Sequence, residues 1–242
     1  MRVALISDLH GNELALEAVL ADVRRRGADR IVCLGDTATL GPHPREVLGR
    51  LRDLRCPCIV GNHDAFLRDP GLVRSYNEAP VITEAVLWCR DRLTASELEF
   101  VGSFVPTWEL PLEGAGRLLL CHGTPRSHME DLLSTTPPEV VDEMLAGCSA
   151  TVIAAGHTHL QMLRQHRGIL LVNPGSVGMP FEEYVSGKVP KLLPYAEWAC
   201  VEAAKGRVSV SLHRVELDRA ALHASVAGSS NPLAPWLSSQ YA

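Results

Sequence analysis

Six short apolar runs in this chain end in residues that could bind a metal ion or a phosphate. Val3-Ala4-Leu5-Ile6 leads through Ser7 into Asp8-Leu9-His10, and Ile31-Val32-Cys33-Leu34 leads into Gly35-Asp36. Cys58-Ile59-Val60 leads into Gly61-Asn62-His63-Asp64, and Leu118-Leu119-Leu120-Cys121 into His122-Gly123. Val152-Ile153-Ala154-Ala155 leads into Gly156-His157-Thr158-His159, and Ile169-Leu170-Leu171-Val172 into Asn173-Pro174-Gly175-Ser176. Most of these endings say little alone. An Asp-x-His after a strand is ordinarily a turn with a helix cap. The Gly-His-Thr-His ending is more specific, because two imidazoles next to a buried strand are costly without partners.

The ordered set points to one chemistry. Carboxylate and amide oxygens mixed with imidazole nitrogens suit Mn²⁺, Fe²⁺, Zn²⁺ or Co²⁺. Asp8, His10, Asp36, Asn62, His122, His157 and His159 are the candidates. They are too many for one four-coordinate zinc, and about right for two ions sharing a carboxylate. Two ions about 3.5–4 Å apart are a standard device for hydrolysing phosphate esters. His43, His128, His166, His213 and His223 fall outside the set and read as surface or satisfied-core histidines.

The elements that must position these residues follow from periodicity. A strand is expected over residues 3–7 and a helix over residues 13–26, where Leu16, Val19, Leu20 and Val23 share a face. Asn12 suits the cap of that helix and Gly27 its stop. Arg30–Gly35 reads as a second strand. Pro44 opens a second helix bearing Val47, Leu48, Leu51 and Leu54. Cys58–Asn62 reads as a third strand. Such a β-α-β-α-β opening implies parallel strands with right-handed crossovers. Ligands of such sheets bind beyond the carboxyl ends of the strands, so the scattered endings can converge.

Residues 78–104 read as mainly helical. Strands are expected at Arg117–Gly123, Thr151–His159 and Gly168–Gly175, with a helix near residues 137–146. Glu197–Ala203 and Arg207–Leu217 read as an antiparallel pair joined around Gly206, the second with one wetter face. The division expected is one domain over residues 1–228 and a surface tail over 229–242, pinned by Trp236.

Bulk properties narrow the function. The 242 residues carry a net charge of −5, which disfavours a protein that coats nucleic acid with a basic face. The 7 cysteines form no Cys-x-x-Cys pair and read as reduced thiols. No apolar stretch reaches the roughly 18 residues of a membrane span, and the N-terminus has no signal-peptide pattern. The expected location is the cytoplasm, with no membrane partner and stable nucleic-acid binding disfavoured. A homo-oligomer stays open.

The endings, in this order, resemble the calcineurin-like metallophosphoesterase superfamily, whose pattern is D-x-H, G-D, G-N-H-[DE], H and G-H-x-H. The likeness runs from residue 1 to about 178. "SDLHGN", "GDTATLGPHP" and "NPGSVG" look most like the small bacterial predicted phosphodiesterases. The resemblance implies an α/β fold: a four-layer α/β/β/α sandwich of two mixed sheets, with a dinuclear site at the strand C-terminal ends. It implies two divalent ions, Mn²⁺ first, with Fe, Zn, Co or Ni as alternatives. The first would bind Asp8, His10, Asp36 and His159, and the second Asp36, Asn62, His122 and His157, with Asp36 bridging. His63 would face a small phosphate-ester substrate beside Asn62 and act on the leaving oxygen. A hydroxide bridging the ions would attack phosphorus in line, with Asp36 essential to catalysis.

Departures from the phosphoprotein phosphatases bear on the substrate. Those enzymes continue as G-D-x-x-D-R-G, whereas Thr39 and Leu40 stand at the Asp and Arg places here. Asp64 is the candidate for the missing acid that orients His63. The segment over residues 179–195, with Met179, Phe181, Lys188 and Lys191, is a substrate-side lid, a dimer contact or a plain loop. The leading expectation is a phosphodiesterase for a small or nucleotide-like substrate. A non-catalytic metal-binding scaffold and a nuclease are the alternatives.

Overall fold

The computed structural model describes residues 1–76, 79–185 and 187–242. Glu78, at the start of the expected helical stretch, and Ser186, within the 179–195 segment, lie outside the described residues. In chain order the elements are β1 (Arg2–Ile6), α1 (Glu13–Arg26), β2 (Arg30–Cys33), α2 (Pro44–Asp53), α3 (Asn62–Arg68) and α4 (Gly71–Tyr76). Next come α5 (Pro80–Arg90), α6 (Ala95–Gly102), β3 (Trp108–Leu112), β4 (Gly116–Leu120), α7 (Pro138–Met144) and β5 (Val152–Ala154). The chain ends with β6 (Gln161–His166), β7 (Ile169–Pro174), β8 (Tyr195–Ala204), β9 (Arg207–Glu216), α8 (Arg219–Ala227) and α9 (Ala234–Tyr241).

Two mixed sheets form, ordered β2-β1-β8-β9 and β3-β4-β5-β7-β6. β1 is parallel to β2 and antiparallel to β8. In the second sheet β4, β5 and β7 run parallel, with antiparallel β3 and β6 at the edges. Strand alternation builds the layers. Val3 and Leu5 meet Leu118, Leu120, Val152 and Ala154 in a core between the sheets. Ala4 and Ile6 point the other way and pack against Leu16, Val19 and Leu20 of α1 and Val47 and Leu51 of α2. Leu119 and Ile153 pack outward against Val141 and Met144 of α7. This is the expected four-layer α/β/β/α sandwich.

The local signals act as expected at α1. The Asn12 side chain accepts from Ala15 N, and Gly27 ends the helix at φ 76° with its N–H on Val23 O. The third expected strand shrinks to two bridged residues, Cys58 beside Cys33 and Ile59 beside Val105. It is cut short because Pro57 has no N–H to pair and Asn62 already starts α3. β3 and β6 escaped the periodicity reading. β3 carries Pro111, tolerable at a sheet edge, and β6 joins β7 through the two-residue turn Arg167-Gly168, both at positive φ.

The C-terminal stretch expected as a surface tail is instead structured. Residues 234–241 form α9 against α8, with Leu233 6% and Leu237 1% exposed. These leucines join Phe66, Val86, Met179 and Leu192 in one cluster, and Trp236 lies partly buried at its margin. Asn231 donates to the carbonyls of Leu40 and Gly41 at 3.0 Å each. The Ser/Pro/Ala composition hid the apolar residues that drive this packing. Among the described residues no helix is long and apolar enough to cross a membrane.

Two outcomes test this packing. Leu237→Ala should lower stability by about 2–5 kcal/mol in urea unfolding, whereas a tail lying loosely on the surface would lose under about 0.5 kcal/mol. Glu197 on β8 is 1% exposed, and Arg214 Nε lies 3.1 Å from its Oε1. Burial outweighs that guanidinium and pushes the carboxyl from 4.5 up to about 7. The folded state therefore holds this proton more tightly than the unfolded chain. Its contribution, on the order of 3 kcal/mol, is complete below pH 4.5 and is lost as pH rises through 7. Glu197→Gln should flatten that fall in a pH series of unfolding curves; an unchanged slope would contradict the assignment.

Candidate metal centre

The strand ends converge at one rim. Asp8, His10 and His159 form one group whose donor atoms all lie within 4.8 Å of one another, and Asp36, His122 and His157 form a second. Asp36 Oδ2 lies 3.4 Å from His122 Nε2 and 3.9 Å from His10 Nε2, so it faces both groups. Asn62 joins the second group through Oδ1, 3.0 Å from His122 Nε2. All seven are almost fully buried, the most exposed being His157 at 8%.

Backbone geometry aims these side chains. Asp8, His10, Asp36, His157 and His159 have φ between 44° and 69°. Among non-glycine residues this left-handed region is sparse and costs on the order of 1–3 kcal/mol each. Here hydrogen bonds hold it. Asp8 N donates to Gly35 O at 2.9 Å, His10 N to Asp36 O at 3.0 Å, and Gly156 N to His122 O at 2.7 Å. Gly61 is required by close approach, because a Cβ there would fall 2.0 Å from Asp36 Oδ1.

The imidazoles are wired for a cation. His122 Nδ1 lies 2.7 Å from Leu34 O and His159 Nδ1 lies 2.6 Å from Met179 O. Each carbonyl can only accept, so each Nδ1 carries a proton and each Nε2 faces inward, the nitrogen that offers a lone pair whenever the ring is neutral. These lone pairs face other acceptors. His159 Nε2 is 3.1 Å from His10 Nε2 and 3.2 Å from Asp8 Oδ1, and His122 Nε2 faces Asn62 Oδ1 and Asp36 Oδ2. Asp8 Oδ1 and Asn62 Nδ2 are buried with no hydrogen-bond partner among the described residues. Such a surplus of converging lone pairs fits divalent cations.

The titration pattern has the same cause. Burial alone would raise Asp8, but the imidazoles of His159 and His122 overcome it and hold the carboxyl at about 2. Asp36 is likewise held well below the ordinary value, its burial outweighed by His122 and His63. Burial pulls His122 down, but Asp36 and Asp8 outweigh it and push the imidazole up to about 10. Burial and His122 together take His157 down to about 4.

Other expected residues land as follows. His63 sits edge-on to His10, 5.0 Å between ring centroids, and against Phe66 at 5.1 Å. Its Nδ1 has no hydrogen-bond partner among the described residues. Asp64 does not orient it. The Asp64 carboxylate instead accepts from Asp36 N at 2.8 Å, Gly61 N at 2.9 Å, Thr37 N at 3.0 Å and Thr37 Oγ1 at 2.7 Å. It turns away from His63 because these four donors converge on it. Leu40 is buried in the apolar cluster with Phe66 and replaces no clamp. Outside the site, His166 pairs with Asp142 at 2.9 Å, and His213 lies over Trp198.

Sequence reasoning missed the braces. Ser176 Oγ donates to Asp8 O at 2.7 Å, and Val177 N and Gly178 N donate to Ser7 O and Asp8 O. Asn173 Nδ2 donates to Gly156 O at 2.7 Å and to Thr158 Oγ1 at 3.1 Å. One segment thus ties the first strand end to the fifth. The Asn173-Pro174-Gly175-Ser176 ending was legible as a polar strand end, but its hydrogen-bond partners were not.

The fold and the rim define a class: a two-sheet α/β sandwich with paired Asp/His clusters at one edge. The model of the calcineurin-like phosphoesterase superfamily domain matches residues 1–188. The chain belongs to that superfamily, and it is a metal-dependent phosphoesterase. It is 32% identical over 193 residues to an uncharacterized protein of Methanocaldococcus jannaschii, covering 74% of this chain and 76% of the relative. It is 28% identical over 190 residues to the phosphodiesterase YfcE of Escherichia coli K12, covering 74% and 81%. The crystal structure of a metallophosphoesterase from Sphaerobacter thermophilus shares 26% identity at a TM-score of 0.76, over 100% of this chain and 98% of that one. A hypothetical protein of Pyrococcus horikoshii shares the fold at TM-score 0.75 and 19% identity, over 91% and 90%.

The Asp64 brace is testable. In Asp64→Asn the new amide N–H₂ would oppose two of the four donors. Stability should fall by at least about 2 kcal/mol, and metal affinity by about 10- to 100-fold. Wild-type values in urea unfolding and metal titration would remove the brace from the account.

Proposed function

We propose that this chain hydrolyses a phosphodiester of a small or nucleotide-like alcohol, using two divalent ions of which Mn²⁺ is the first choice. The observation that carries the reading is the pair of buried donor groups sharing Asp36. Asp8, His10, Asp36 and His159 would hold one ion; Asp36, Asn62, His122 and His157 would hold the other. When bound, such ions offset phosphate charge and supply a nucleophilic oxygen near neutral pH. The carbonyls of Leu34 and Met179 fix the imidazole tautomers, and Asp64 with Thr37 holds the Asp36 loop. His63, beside His10 and above Phe66, is placed to give a hydrogen bond to the departing alkoxide.

The diester preference rests on what stands near the rim. Thr39 Oγ1 lies 3.4 Å from His10 Nδ1 and Leu40 is buried, so the clamp positions carry no cation. Arg126, on the loop after His122, is engaged by Glu130 and the Glu143 carbonyl. A monoester dianion gains from an extra cationic clamp, whereas a diester has a single charge to neutralise. The same acidic surroundings and the net charge of −5 argue against a long nucleic-acid substrate. A cytoplasmic location remains the expectation.

The test compares bis-p-nitrophenyl phosphate with p-nitrophenyl phosphate across Mn²⁺, Zn²⁺, Co²⁺ and Ni²⁺. Metal-stimulated hydrolysis favouring the diester, abolished by chelation, is the expected result. Asp36→Ala and His122→Ala should each lower kcat/KM by about 100-fold or more and reduce bound metal by elemental analysis. Full activity in either variant, or no metal stimulation of the wild type, would sink the proposal.

A further inference from the structure

One polar pair at the rim belongs to neither donor group. Asp131 Oδ1 lies 3.4 Å from His157 Nε2. Its other oxygen, Oδ2, accepts a 2.6 Å hydrogen bond from the Tyr184 hydroxyl. Asp131 comes from the loop between β4 and α7 that also carries His122, and Tyr184 from the segment between β7 and β8. Two distant stretches of chain therefore meet beside the second donor group. The Asp131 side chain is 42% exposed, whereas those of Asp8 and Asp36 are 0% and 1% exposed. The deep acids are closed off from solvent, whereas Asp131 is open to it at the rim.

The segment that carries Tyr184 also reaches the first donor group. Phe181 stacks on His159, with centroids 4.2 Å apart and an interplanar angle of 22°. Met179 O accepts from His159 Nδ1. The segment thus touches one group through Phe181 and the other through Tyr184 and Asp131. His63 stands against His10, on the first-group side. A diester has two arms, and the rim offers a different residue to each.

We propose that Asp131, held by Tyr184, is a specificity-determining residue that receives a hydroxyl-bearing arm of the diester, opposite the arm that faces His63. This inference rests on the phosphodiesterase reading above. A carboxylate only accepts hydrogen bonds, so it selects an arm that donates, such as a sugar alcohol. Its charge repels an additional phosphate, which disfavours nucleoside polyphosphates and monoester dianions. Tyr184 occupies Oδ2 and fixes the carboxylate plane, so that Oδ1, which lies toward His157, is the oxygen turned to the rim for a substrate hydroxyl. A hydrogen bond from an alcohol to a charged acceptor gives discrimination of about 10-fold against an arm that lacks the donor.

The test uses the metal-loaded full chain and two diesters with the same leaving group. Thymidine 5′-(4-nitrophenyl phosphate) retains a sugar hydroxyl; bis-p-nitrophenyl phosphate has none. In Asp131→Ala the ratio of kcat/KM for the thymidine ester over the bis-aryl ester should fall about 10-fold. In Tyr184→Phe it should fall about 3-fold in the same direction. Bound metal and melting temperature should match wild type in both variants. An unchanged ratio in active variants would overturn this inference while leaving the phosphodiesterase reading standing. A parallel loss on both esters with loss of metal would overturn it by making Asp131 a ligand. A wild type inactive on both diesters would overturn the phosphodiesterase reading and this inference with it.

Discussion

Two buried carboxylates and four buried imidazoles share one rim, and their lone pairs point at each other. That is the constraint on which the rest of the structure depends. Burying a carboxylate without compensation is costly, yet Asp8 and Asp36 are closed to solvent. The imidazoles near them can take a proton or turn a lone pair toward a cation. The carbonyls of Leu34 and Met179 fix which nitrogen does so at His122 and His159 by holding the Nδ1 protons. The inward nitrogens of these two rings are thereby the Nε2 atoms, which face the carboxylates.

Such an arrangement must be enforced by the surrounding chain. Five of the donors sit at positive φ, a conformation a free peptide would leave at once. The enforcement comes from three directions. The parallel strands β1 and β2 end level with each other, so the loops after them exchange hydrogen bonds. Asp64 reaches back across the Asp36 loop with a four-fold acceptor. The Asn173–Gly178 stretch then crosses from the second sheet to the first and ties Gly156 to Asp8. Each tie is modest alone, and together they over-determine the strained residues.

The C-terminal helices extend this support beyond the region the superfamily model covers. α8 and α9 close an apolar cluster that contains Phe66, Met179 and Leu192. Phe66 backs His63, and Met179 caps His159. Packing at the far end of the chain therefore bears on His63 and on one donor group. The phosphoesterase site is thus a property of the whole sandwich with its flanking helices.

Much of this was legible in the sequence because the signals are local. The continuous apolar runs Val3–Ile6 and Leu118–Cys121 marked buried strands, and Asn12 and Gly27 marked the limits of α1. The ordered set of Asp8, His10, Asp36, Asn62, His122, His157 and His159 marked a metal-type site because these residue types rarely recur at successive strand ends without a shared task. What only the tertiary structure decided was long-range. The third strand shrank once Pro57 and the start of α3 competed for it. The apparent tail became a helix because Leu233 and Leu237 found partners far back in the chain. Asp64 turned to the Asp36 loop, and Asp131 came to stand beside His157. Sequence patterns encode what a residue prefers with its neighbours in the chain; which donor meets which acceptor across the sheets depends on where the strands end, and that is set by packing.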